Sequence, residues 1–239
     1  MIIAPARPTC TDPLRPLRLF HPATVATLLG LMAVLAWDLL GQDIALARLA
    51  GTPSGFPARE AWFLTHILHD GARTLAGVLV AVVAVAVVWP FGPFLALTRG
   101  RRLWLLAAVI GGMLLPATFK RVSATSCPWE LAEFGGSAAL VSHWQWWTLD
   151  GGPGHCFPAG HASADFAWIA GFFAWPASSP WARRWLWGAL AAGLVLGVAQ
   201  QLRGAHFMSH TLWTAWICWT WAWGLSLFLS QDPPAPAAG

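Results

Sequence analysis

The chain has 239 residues, of which 57% are hydrophobic and only 10% charged, with a formal net charge of +4. A soluble domain carries roughly 25% charged residues, so this composition excludes an ordinary water-soluble enzyme and points to a bilayer. The basic residues gather at the ends of apolar runs instead of forming a stripe, which argues against a nucleic-acid partner.

Six stretches with little or no charge follow one another at 23–40, 74–91, 103–119, 166–182, 185–202 and 211–230. Each is close to the length of a spanning helix, about 17 to 25 residues. The predicted fold is therefore all-α, an integral membrane bundle of six transmembrane helices forming a single domain over residues 1–239. Residues 1–22 read as a cytoplasmic tail, 120–160 as a long outer loop between the third and fourth helices, and 231–239 as a flexible Pro-Ala tail. The first stretch reads as a retained helix because Asp38-Leu-Leu-Gly-Gln-Asp43 follows it directly, with no cleavage site.

Arginine placement sets the orientation. Arg7, Arg15, Arg18, Arg99, Arg101, Arg102, Arg183 and Arg184 put eight basic residues on one side against six on the other. By the positive-inside rule the first set faces the cytoplasm. The polar clusters described below then face outward, toward the periplasm if the membrane is a bacterial inner membrane. In that compartment Cys127 and Cys156, which flank the long loop, are candidates for a disulfide. Cys10 falls in the tail and Cys218 inside the last helix. Eighteen tryptophans and no tyrosine fit interfacial anchoring. The run His143-Trp-Gln-Trp-Trp147 is placed to rest on the membrane surface beside an entering lipid.

Three polar clusters stand at three apolar boundaries. The first holds Lys120, the only lysine in the chain, followed by Arg121 and then Cys127-Pro128. An ammonium at a membrane boundary is a compact point charge suited to a phosphate oxygen. The second, Phe157-Pro158-Ala159-Gly160-His161, opens an apolar run, so His161 belongs to the first turn of a helix. Exposed amides and the positive end of the helix dipole favour an anion there, and Gly160 lets it approach the backbone. The third places Arg203, His206 and His210 at spacings of three and four, along one helical face. Two histidines on different elements can divide the labour of phosphoryl transfer. A neutral imidazole attacks, and a protonated one donates to the departing alkoxide.

In order and spacing the three segments resemble the type 2 phosphatidic acid phosphatase (PAP2) superfamily, with its K-x6-R-P, P-S-G-H and S-R-x5-H-x3-D motifs. The resemblance implies a membrane lipid phosphatase with a phospho-histidine intermediate on His206, a general acid at His161, and no metal or other cofactor. Lys120, Arg203, Gly160, Ala159 and Arg121 become the phosphate-binding set. The chain departs from the pattern at four positions: Cys127 replaces an arginine, Ala159 a serine, Gln200 an arginine, and His210 the acidic partner of the nucleophile. A neutral His210 can fix the tautomer of His206 but cannot balance its positive charge. Glu130, in the first-motif loop, is preferred over Asp165 as the missing carboxylate.

Other readings remain open at this point. His155, Cys156, His161, His206 and His210 offer zinc-type ligands, but Lys120 and Arg203 would repel a cation. His66, His69 and Asp70 read either as an interfacial capping cluster or as a wall of the substrate entrance. A lipid phosphotransferase would use the same residues as the phosphatase. A non-catalytic lipid-phosphate carrier would bind without releasing phosphate. The expected partners are a lipid phosphate substrate and membrane lipids, and the sequence specifies neither which lipid nor an oligomeric state.

Overall fold

Capping residues and prolines decide where the helices begin and end. The computed structural model describes residues 21–229, so the expected terminal tails, with Arg7, Cys10, Arg15 and Arg18, lie outside the described residues. Helix α1 (Pro22–Leu40) opens with Pro22 at its first position, where the imidazole of His21 accepts from Ala23 N–H. It ends at Gly41, whose φ of 60° is the left-handed conformation that favours glycine. A short α2 (Gln42–Ala47) follows. A π-helical segment, Phe63–Gly71, runs directly into α3 (Ala72–Val88). Next come α4 (Arg99–Val122), α5 (Gly160–Phe166), α6 (Ala170–Ala174), α7 (Pro180–Leu202) and α8 (Met208–Ser226).

Among the described residues the elements are all helical, and four runs are long and apolar enough to cross a membrane: Pro22–Leu40, Phe63–Val88, Arg99–Val122 and Pro180–Leu202. The expected span at 166–182 needs correction. Helix runs from Gly160 through a 3-10 turn at Ala167–Ile169 to Ala174, and then stops. Pro176 cannot continue it, and Pro180, behind the Ser179 cap, starts α7. An absence of charge marked the apolar stretch, but the prolines set its boundaries.

The 160–174 run lies at the centre of the bundle. Phe166, Ala170 and Ala174 are fully buried in a core that also takes Leu105 and Val109 of α4, Ala189 of α7 and Cys218 of α8. Small residues let neighbours come close, as membrane helix packing requires. A Cβ on Gly193 of α7 would stand 2.4 Å from the Phe166 ring, and one on Gly112 of α4 would stand 3.1 Å from the Ala167 methyl.

Residues 123–159, between α4 and α5, contain only two 3-10 turns, Pro128–Glu130 and Ala132–Phe134. The segment is nonetheless tied down. Asp150 accepts from the Ser126 backbone N–H (2.6 Å), the Ser126 hydroxyl (2.8 Å) and Gly152 N–H (2.9 Å). Cys127 and Cys156 are joined as a disulfide. Phe134 and Leu131 enter a satellite core with Phe56, Ala47 and Phe207. At its far end Trp147 is 97% exposed.

The contact between Gly193 and Phe166 gives a direct test of this packing. Gly193→Val should destabilise the protein by about 1–3 kcal/mol through overpacking, read as a lower Tm in detergent. An unchanged Tm would mean that α5 and α7 do not meet here.

Candidate active site

The turn between α7 and α8 carries the third cluster and gives it a geometry that spacing alone does not predict. Helix α7 ends at Leu202 with Arg203 as its cap, and Gly204 follows with φ 74°. A Cβ at Gly204 would also stand 2.3 Å from the Phe56 ring, so glycine is required twice over. The helix breaks before His206. Arg203, His206 and His210 therefore do not share one helical face, which corrects the expectation from their spacing. His206 sits in the turn, and His210 lies in the first turn of α8. The two imidazoles still meet, Nδ1 to Nδ1 at 3.5 Å. Both are buried, at 3% and 1% exposure.

Helix α5 brings the second histidine. The His161 ring centroid lies 6.2 Å from that of His206 and 4.2 Å from that of His69. His69 belongs to the π-helical segment, a distortion that often marks functional positions, and its Nδ1 is 2.8 Å from Asp70 Oδ1. Lys120 comes from the last turn of α4. Its Cδ lies 3.3 Å from where a Cβ on Gly160 would stand, so the glycine lets the lysine stem run against the start of α5.

These elements surround a cavity of about 700 Å³. Lys120 and Arg121 line it from α4 and Arg73 from α3, giving three cationic side chains. Gly160 and His161 line it from α5, and His69, in ring contact with His161, lines it from the π-helical segment. His155, left-handed at φ 56°, Ser163, Asp165 and Gln200 complete the polar lining, while Leu68, Met113 and Leu196 give it an apolar side. His206 is not among the lining residues; it reaches the cavity wall through its neighbour His161 and contacts His210.

Several expected site residues have other occupations. Arg203 donates from Nε to Arg59 O (2.9 Å) and from Nη1 to Gln200 Oε1 (3.3 Å), and does not line the cavity. The Ala159 N–H donates to His210 O at 3.3 Å, so that amide braces α8. The Glu130 carboxylate accepts from Cys127 N–H at 2.9 Å, capping its own 3-10 turn, and contacts neither His206 nor His210. Asp165 lines the cavity one helical turn beyond His161. His66 bonds Thr65 and approaches Trp62 O, outside the cavity lining.

The sulfurs of Cys127 and Cys156 with His206 form a compact group of potential metal ligands among the described residues. Joined as a disulfide, the sulfurs have no thiolate to offer, so this is not a metal site. Cys156 Sγ instead rests 3.5 Å from His206 Nδ1 and 3.1 Å from Ala205 O, as a contact without a proton.

Burial, helped by the neighbouring His210, Lys120 and His161, holds the His206 imidazole well below the ordinary histidine pKa. His206 is thus neutral at physiological pH, the form in which an imidazole can attack. Burial also lowers the pKa of His143, with Asp38 opposing the shift.

Sequence reasoning missed Arg73, Asp38 and Asp43, and read His143 only as part of an exposed aromatic run. For Arg73 there was a signal, since it stands one turn after Asp70 at the start of an apolar stretch. Asp38 and Asp43 were visible only as charges ending the first stretch, and no spacing rule links them to α8.

The arrangement matches one class of protein, a membrane phosphatase built on a helical bundle with histidines and cations from separate elements. The PAP2 superfamily model matches residues 101–233, more than half of the chain, and the protein belongs to that superfamily. No curated relative and no solved structure matches the chain.

Lowered histidines, His206 and His143 among them, make stability depend on pH. Below about pH 6.5, the ordinary histidine value, the unfolded chain takes up protons that native His206 and His143 do not. Stability should be flat above neutrality and fall as pH drops from about 7 to 5. Thermal melts across that range should show this, with a shallower fall in His143→Gln. A Tm that rises on acidification would contradict the buried neutral imidazoles.

Proposed function

We propose that the protein is a lipid phosphatase that hydrolyses a phosphomonoester or diphosphate through a phospho-histidine intermediate. The observation that carries this reading is the convergence of Lys120, Gly160 and His161 on one cavity, with the ring of a buried neutral His206 centred 6.2 Å from that of His161.

The geometry supports the following division of roles. His206 Nδ1 faces His210, which leaves Nε2 to attack phosphorus. The attacking tautomer carries its proton on Nδ1, and His210 Nδ1 is the acceptor facing it. Lys120, with Arg121 and Arg73, neutralises the non-bridging oxygens as charge develops on them. These cations take the place of the arginines that the family pattern has where Cys127 and Gln200 stand here. His161 in its protonated form donates to the departing oxygen, and in its neutral form then takes a proton from the water that cleaves the P–N bond. Inorganic phosphate leaves, and His206 returns to its starting state.

Four apolar helices support a membrane location. In this reading the 160–174 run and α8 complete a six-helix, single-domain bundle, and the site faces the periplasm at the outer leaflet of a bacterial inner membrane. The apolar side of the cavity then meets the lipid.

The test is phosphate release by purified protein in detergent, with chelator present, from a panel of lipid monophosphates and diphosphates. His206→Ala should lower release roughly a thousand-fold or more while leaving the Tm near that of wild type. Full activity in that variant would remove the assigned nucleophile, and binding without release from any lipid would favour a carrier. Lys120→Met should lower kcat/KM by roughly a hundred-fold, with both kcat and KM affected because the charge serves substrate and transition state alike. Wild-type kinetics would remove Lys120 from the site.

A further inference from the structure

Two carboxylates at the α1–α2 corner take no part in the chemistry above, and both precede residue 101, where the family match begins. Asp43 Oδ1 accepts from Ser209 N–H at 3.0 Å and from Trp37 Nε1–H at 2.8 Å, while its Oδ2 accepts from the Ser209 hydroxyl. Ser209 N–H is a first-turn amide of α8, with no acceptor in its own helix. Asp43 supplies one from another element, and its charge complements the positive end of the helix dipole.

Asp38 Oδ2 accepts from Trp213 Nε1–H at 2.9 Å, from Trp144 Nε1–H at 3.0 Å and from His143 Nε2 at 3.2 Å. Ser209 stands one residue before His210 and Trp213 three after it. The two carboxylates therefore grip α8 on either side of His210. His143, anchored by Asp38, stacks flat on Phe157 with centroids 4.1 Å apart and 9° between planes. Both rings then meet His210 edge-on, at 5.2 Å from Phe157 and 6.1 Å from His143.

We propose that Asp38 and Asp43 are positioning residues for the nucleophile, acting through His210. The family pattern places a carboxylate at position 210, where this chain has an imidazole. Here the α1–α2 corner supplies the restraint instead, by fixing the backbone and ring plane of His210 so that its Nδ1 stays opposite His206 Nδ1. The segment before residue 101 is thus part of the active site as well as of the membrane anchor. This inference rests on His206 as the attacking group.

The experiment places Asp38→Asn and Asp43→Asn, singly, in the wild-type chain and in His210→Asp, which returns a carboxylate to the nucleophile's side. In the wild-type background each should lower kcat by about 10- to 100-fold with KM changed by less than about twofold, since a small misplacement of a reacting group costs up to about a hundred-fold. In His210→Asp the same substitutions should cost less than about twofold, because coupled residues lose their separate effects once the link between them is replaced. Unchanged kcat in the wild-type background would overturn the proposal, as would a loss of the same size in both backgrounds, the mark of a purely structural role. If Asp43→Asn does not fold, Ser209→Ala removes the hydroxyl link alone and should still lower kcat severalfold with KM unchanged; no change would count against Asp43.

A second readout needs no turnover. In protein labelled with 15N-histidine, Asp38→Asn should shift the imidazole resonances of His206 and His210 and leave those of His66 in place. Unmoved His206 and His210 signals would overturn the proposal whether or not the protein releases phosphate. A wild-type protein that releases none but shows the shift would fail the hydrolase reading and keep the positioning one.

Discussion

The clasp of segment 123–159 over the turn between α7 and α8 is the constraint on which the site depends. Three ties hold it. Trp129 N–H donates to Gly204 O at 2.9 Å, Cys156 Sγ rests against Ala205 and His206, and Phe134 shares a buried cluster with Phe56 and Phe207. The Cys127–Cys156 bond closes the segment into a loop whose two ends both lie on this turn. A five-residue connection between two helices would otherwise be a mobile element. Clasped in this way, it holds a buried imidazole at a fixed orientation, as the proposed in-line attack would require.

Burial has a chemical consequence as well as a mechanical one. An imidazole taken out of water resists protonation, so His206 stays neutral where an exposed histidine would be part-charged. In the proposed mechanism the same burial makes the positive charge that forms during attack harder to bear. In the family pattern a carboxylate at position 210 answers that difficulty directly. In this chain the negative charge sits further off, on Asp38 and Asp43, and the gap between it and His206 is filled by aromatic and imidazole rings. Positive charge has likewise been moved. Arg73 from α3 and Arg121 from α4 line the cavity, and neither stands at an arginine position of the family motifs.

What could be read from the sequence was local. Lys120 at the end of an apolar run, and Pro158-Ala159-Gly160-His161 at the start of another, are boundary signals, and Lys120, Gly160 and His161 line the cavity. Helical spacing failed at Arg203, His206 and His210 because one glycine, Gly204, ends the helix between them. It failed again at 166–182, where hydropathy ran on past a helix that Pro176 stops. Glu130 was chosen for nearness in sequence to the first motif, yet its carboxylate is spent on the amide of Cys127. The roles of Asp38, Asp43 and His143 depend on contacts across more than a hundred residues, which no periodicity encodes.

The claim on which everything else rests is that phosphate passes through His206. Brief turnover of a 32P-labelled lipid phosphate, quenched in alkali to preserve an acid-labile P–N bond and followed by peptide mapping, tests it most directly. Transient label is expected on the peptide that contains His206, lost on acid treatment and absent when His206 is replaced. Phosphate release with no label on the protein, or with the label on His161, would contradict it.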